Sequence, residues 1–169
     1  MQHDIAIVGA GPVGGTLALA LADADLDVIA FDARAAGTAL RGDRTLALSH
    51  GARLIFERLG VWTRLGAIAG AVTPITTIDI SQAGGFGLTR LDAHQQRLPA
   101  LGYVVSYVAL QSAIDAALAV TRTIVHFGTA VAQVGGTGGY AMVGLQDAAA
   151  EPVLARLAVV ADGAGTAVA

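Results

Sequence analysis

The sequence predicts an α/β fold. A parallel βαβ unit opens the chain, a small antiparallel meander lies near its end, and a β segment is inserted between them. Three observations carry this. Residues 4–32 read as apolar strand, glycine turn, alanine–leucine helix, second strand and terminal acid. Residues 72–91 are rich in Thr and Ile on either side of a Gly-Gly pair, the mark of strands joined by a turn. Between residues 130 and 161, three apolar runs are separated by short turn segments at 135–139 and 147–151.

The opening unit is the most specific. Ile5–Val8 is apolar and rich in β-branched residues, as a buried parallel strand requires. It runs into Gly9-Ala10-Gly11-Pro12-Val13-Gly14, and Leu17–Ala22 supply good helix formers. Val28–Phe31 is the second strand, ending at Asp32. In such a Rossmann-like turn the first glycine permits the tight bend and the second lets backbone approach a pyrophosphate. The third lets helix and strand pack closely. The helix N-terminus offers amides and a positive dipole end to phosphates. Asp32 follows Gly14 by 18 residues, close to the spacing of about 20 at which an acid accepts from an adenosine ribose. A carboxylate there disfavours a 2′-phosphate. Residues 5–22 carry no charge, which also raises a spanning helix or signal peptide. Glycines and a proline in the middle, with no cation in the flank, argue for a buried βα unit instead.

Residues 33–43 read as a loop in which Arg34 and Arg41 are solvated or reach a phosphate. Residues 44–49 lead into a helical pattern through Ala52, Ile55, Phe56, Leu59 and Val61-Trp62, with Gly60 marking the stop. Residues 72–91 form a hairpin about Gly84-Gly85, 92–99 a polar connection, and 101–108 another strand. Leu110–Val120 is a helix with Leu110, Ile114, Ala117 and Leu118 on one face. Thr123–Phe127, 130–134, 140–145 and 153–161 are strands, the last re-entering the main sheet and ending in Ala161-Asp162-Gly163-Ala164. Ligands bind at that carboxyl edge in open α/β sheets. The expected organisation is 1–71, 72–108 and 109–169. Because the chain stops six residues after Gly163, a fragment is expected.

Composition narrows the function. In 169 residues, 54% are hydrophobic and 14% charged; the net charge is −3, and all ten basic residues are arginine. No basic block suits nucleic acid. There is no cysteine, which excludes disulfides and thiolate chemistry. The four histidines lack metal-ligand spacing, so no metal is expected. Neither a nucleophile elbow nor a lysine-bearing phosphate loop is present, and Asp79 and Asp92 read as solvated. No catalytic side chain is assigned; the chemistry is expected to belong to a cofactor. A soluble cytoplasmic protein is expected.

Four separated stretches, GAGPVGGTLA, DRTLALSHGA, LGYVV and ADGA, occur in this order. Together they resemble the flavin aromatic monooxygenases of the p-hydroxybenzoate hydroxylase type, in particular the ubiquinone-biosynthesis hydroxylases. The resemblance implies FAD, reduced by NAD(P)H, whose hydroperoxide hydroxylates a polyprenylated phenol with molecular oxygen. It also admits peripheral contact with the inner membrane, or a complex with other ubiquinone-biosynthesis enzymes. The 72–108 segment would be the start of a substrate domain inserted between two halves of an FAD-binding domain. The implied cofactor-binding set is Gly9, Gly11, Pro12, Val13, Gly14, Asp32, Ala33, Arg34, Arg44, Gln111, Asp162 and Gly163. Departures from the family pattern are Ser106-Tyr107, Ser112, Thr166 and Ala169. Without the resemblance, two other readings stay open: an oxidoreductase binding NAD directly, and a non-catalytic dinucleotide-binding module.

Overall fold

The structure is a computed structural model describing residues 2–38, 42 and 44–163. Arg41, Ala164, Thr166 and Ala169, singled out above, lie outside the described residues. Two compact units are formed, Met1–Leu40 with Ile114–Ala169, and Arg41–Ala113.

The first unit is built on β1 (Gln2–Val8), α1 (Pro12–Leu21) and β2 (Val28–Asp32). Each follows from its residues: β-branched runs for the strands, and Pro at the first helical turn, where its missing N–H costs nothing. β8 (Ile124–Phe127), β9 (Val131–Thr137), β10 (Tyr140–Leu145) and β11 (Val153–Val160) complete a six-stranded sheet of order β8-β2-β1-β11-β10-β9. β8, β2, β1 and β11 run parallel; β11, β10 and β9 run antiparallel. β11 is therefore shared: Leu154 and Ala155 pair both with β1 and with β10. Val131 and Val143 from the meander form one core cluster with Ala6, Val8, Ile29 and Phe31. α1 covers Ile7 on the other side, where the Cβ position of Gly14 is 3.2 Å from the Ile7 side chain.

The meander departs from expectation at one point. The turn expected at 135–139 is only its second half. β9 continues through Gly135 and Gly136, which pair with Met142 and Ala141. Two glycines read locally as a turn, but β9 is an edge strand and its pairing with β10 overrides that preference.

In the second unit, β3 (Thr45–Ser49), β4 (Val72–Ile75) and β7 (Gly102–Ser106) form a sheet of order β3-β7-β4. Residues 45–49, expected as a lead-in to a helix, are a strand. Leu46 and Leu48 point inward while Thr45, Ala47 and Ser49 are exposed, the period-2 alternation of a half-buried sheet. Ser49 then caps α2 (His50–Arg58), its hydroxyl accepting from the Ala52 amide at 3.1 Å. Gly60, at φ +70°, ends α2 and starts a separate helix, α3 (Val61–Gly66), so Val61-Trp62 do not extend α2.

The 72–91 hairpin is also redrawn. β4 pairs with β7, and the hairpin is β5 (Thr77–Ser81) with β6 (Leu88–Asp92). Pro74 is tolerated because β4 is an edge strand. α4 (Tyr107–Leu118) follows β7, and the face expected to be buried is buried: Leu110 0%, Ile114 0%, Ala117 4% and Leu118 3% exposed.

Candidate functional site

The glycine turn lies at the carboxyl end of β1, and each glycine has a separate reason. Gly9 adopts φ +94°, and a Cβ there would sit 2.6 Å from the Ala161 carbonyl oxygen and 2.8 Å from the Asp162 Cα. The turn and the Asp-Gly segment at the end of β11 therefore touch through backbone. The Ala161 amide also donates to the Val8 carbonyl at 2.7 Å. A Cβ on Gly14 would collide with the Gly9 carbonyl oxygen. Gly11 differs: nothing lies within 4 Å of its Cβ position. Its neighbour Val13 is 74% exposed. At Gly11 the backbone is open on the outside, whereas Gly9 and Gly14 are enclosed by the protein itself.

Helix α1 begins at this opening without a capping side chain of its own. Gly11 at its N-cap contributes no side-chain hydrogen bond, and the first turn holds no acidic residue. The dipole end and first-turn amides thus favour an anion beside Gly11.

Asp32, at the carboxyl end of β2, is turned toward the glycine turn. One carboxylate oxygen accepts from the Ala10 amide and the other from the Arg34 amide, each at 2.8 Å. Its side chain is 13% exposed. A carboxylate oxygen has two acceptor sites, so each oxygen retains one for a ligand. Ala33, next in the chain, is exposed.

Arg34 corrects the sequence reading. It is not a solvated arginine. Its guanidinium makes a bidentate pair with Asp115 of α4, at 2.7 and 3.1 Å, and lies 5.4 Å from the centre of the Phe127 ring. α4 is close because Gly15, a residue the sequence reading passed over, leaves room for it. A Cβ on Gly15 would be 2.6 Å from Ile114 and 3.6 Å from Leu118. The available signal is a fourth glycine, directly after Gly14, at a position a small residue must occupy for helix packing.

Gly9, Gly11, Pro12, Val13, Gly14, Asp32, Ala33 and Arg34 are thus assembled in the first unit, with Asp162 and Gly163 beside them at the end of β11. Arg44 and Gln111 belong to the second unit. Arg44 is exposed, lies 4.4 Å from the Tyr107 ring centre, and accepts through its carbonyl from the Tyr107 amide at 2.9 Å. Gln111 is 1% exposed, within α4. Asp79, read as solvated, pairs across the hairpin with Arg90 at 2.7 and 2.9 Å.

The glycine turn, the helix start without a side-chain cap and the oriented Asp32 carboxylate fit the adenosine diphosphate end of a dinucleotide such as FAD: an open backbone where a phosphate can approach and an acceptor where a sugar hydroxyl can donate. Among the described residues, no group of three or more His, Asp or Glu could hold a metal ion. No helix among them is long and apolar enough to cross a membrane.

No family model matches the chain. It is 31% identical over 114 residues to ubiquinone hydroxylase UbiL of Rhodospirillum rubrum, a match covering 66% of this chain and 26% of that protein. In fold it is similar to the flavin-dependent monooxygenase PieE, whose structure was solved with FAD and substrate. That similarity has a TM-score of 0.76 at 20% identity, over 98% of this chain and 31% of PieE. It is also similar to the anhydrotetracycline hydroxylase OxyS of Streptomyces rimosus, with a TM-score of 0.78 at 18% identity, over 99% of this chain and 33% of OxyS. The chain spans about a quarter of UbiL and about a third of the two structures. The mixed α/β fold is that of the matching parts of PieE and OxyS. The sequence match to UbiL agrees with the resemblance read from the four stretches; PieE and OxyS, at 20% and 18% identity, share the fold.

Proposed function

We propose that this chain is the part of a flavin-dependent hydroxylase that grips FAD. The acceptor would be a polyprenylated phenol of ubiquinone biosynthesis, and NAD(P)H the transient reductant. The observation that carries the reading is the contrast within the glycine turn. Gly9 and Gly14 are closed off by protein, whereas Gly11 faces outward beside an uncapped helix end and the oriented Asp32 carboxylate. When bound, the flavin supplies the oxygen chemistry. The residues of this chain bind and orient it: amides near Gly11 hold phosphate, and Asp32 accepts from the ribose hydroxyls. Asp162, whose Cα lies against Gly9, and Gly163 after it border the same edge. Pro12, Val13, Ala33, Arg34, Arg44 and Gln111 complete the proposed set.

The UbiL relative supports the quinone-precursor substrate. A phenol with a polyprenyl tail resides in lipid, so the proposal includes contact with the membrane surface or with neighbouring enzymes of the pathway. In this scheme 1–71 and 109–169 serve FAD, and 72–108 begins the substrate domain.

FAD titration tests the cofactor assignment. Flavin fluorescence is expected to quench on binding, and ADP to compete. A chain that takes up neither FAD nor ADP contradicts it; a colourless chain that binds NAD supports direct nicotinamide binding instead. The substrate assignment is tested by a chimera in which this chain replaces the matching segment of the R. rubrum relative. Phenol-stimulated, NAD(P)H-dependent oxygen uptake is expected, and uptake unaffected by polyprenyl phenols contradicts it.

A further inference from the structure

The geometry points to Asp115 as a positioning and specificity-determining residue for the adenosine ribose. It does not touch the ligand, and it works by holding Arg34. The inference rests on the cofactor reading above, and concerns how that site rejects a 2′-phosphate.

Arg34 is a cation two residues from the ribose-directed acid. Its Nε lies 3.9 Å from Asp32 Oδ1, so its charge is available at that edge. Dinucleotide sites that accept a 2′-phosphate use an arginine so placed. Here Asp115 engages the far face of the guanidinium, both terminal nitrogens bonding its two carboxylate oxygens at 2.7 and 3.1 Å. Such a fork fixes direction as well as distance. The group is only 18% exposed, and Phe127 flanks it.

The backbone is held at the same place. The Thr129 amide donates to the Asp32 carbonyl at 2.9 Å, and the Gly128 amide to the Arg34 carbonyl at 2.8 Å. The Arg34 amide, fixed by this arrangement, donates to Asp32 Oδ1. Asp115 therefore does two things through one side chain. It anchors the arginine whose amide orients Asp32, and it commits both terminal nitrogens of that arginine to a carboxylate, leaving only Nε toward the ribose edge. Released, the guanidinium can swing to the ribose edge and offset the repulsion that Asp32 exerts on a phosphate.

The experiment compares ADP with adenosine 2′,5′-bisphosphate by calorimetry on the intact chain. Wild type is expected to bind ADP and discriminate strongly against the bisphosphate. Asp115→Asn should lose about threefold to tenfold in ADP affinity and gain a similar factor for the bisphosphate, where tenfold corresponds to about 1.4 kcal/mol. Asp115→Glu should restore the wild-type order. Arg34→Ala should lose ADP affinity without gaining bisphosphate, because the gain needs the freed cation. Combined with Asp115→Asn it should add no further loss, as expected for one unit. The ratio of the two affinities is a readout that a merely structural role for Asp115 would not move. Wild type that binds ADP, with an unchanged ratio in Asp115→Asn, overturns the inference alone. Wild type that binds no ADP overturns the cofactor reading and the inference with it.

Discussion

The strands β2 and β5 are equally long and take opposite positions. Four of the five residues of β2 are buried, and its last, Asp32, is held by two backbone amides. All five residues of β5 are exposed, and its hairpin with β6 leaves Ile80 53% and Leu88 60% accessible. The candidate site is built on the first kind of strand. Burial over-determines β2: meander residues pack on one side, helix α1 lies against it, and parallel neighbours β1 and β8 flank it. Its terminal carboxylate is thereby placed within hydrogen-bond tolerance. The hairpin is a two-stranded sheet of its own, with cross-strand pairs such as Asp79–Arg90, and isolated hairpins are marginal in water. Precision for binding is drawn from the crowded region.

The comparison breaks most visibly at Gly14. Gly14→Val drives a side chain into the Gly9 carbonyl and Ile7, so the first unit should lose about 3 kcal/mol or more. Urea unfolding followed by circular dichroism measures it. Next comes a matched pair. Ile114 is 0% exposed and Ile80 53%. Ile114→Ala should cost about 2–5 kcal/mol, and Ile80→Ala within about 0.5 kcal/mol. Equal losses in the same denaturation assay would show that crowding does not separate the two regions.

The smallest effect is that of pH on the hairpin. The Arg90 guanidinium hydrogen-bonds the Asp79 carboxylate and holds its pKa below the ordinary value. A carboxyl depressed in the folded state stabilises it above the unfolded pKa, about 3.9. That contribution disappears as pH falls through the folded value. Hydrogen exchange at β5 and β6 should therefore accelerate relative to β1 below about pH 4. Asp79→Asn should flatten the difference.

The opening unit was legible because its determinants are local. Three glycines, a helix and an acid within 29 residues each constrain a neighbour a few positions away. The α4 face was legible for the same reason: periodicity reports burial directly. What escaped were partners distant in sequence. Arg34 looked solvated because Asp115 is 81 residues on. Gly15 looked like an ordinary helix residue because Ile114 and Leu118 are equally remote. β4 was joined to the next strand because its true partner, β7, follows an intervening hairpin. Gly135 and Gly136 were read as turn because only pairing with β10 makes them strand.

Gly11 is where folding and cofactor binding make separate demands. Its Cβ position meets no protein atom within 4 Å, so Gly11→Val should leave the folding transition nearly where it was. The same valine would occupy the space assigned to pyrophosphate. The decisive measurement is the FAD dissociation constant of Gly11→Val beside its melting temperature. Flavin binding is expected to fall by at least about a hundredfold, or about 2.7 kcal/mol, with melting little changed. A folded Gly11→Val that binds FAD as wild type does would contradict that placement of the pyrophosphate.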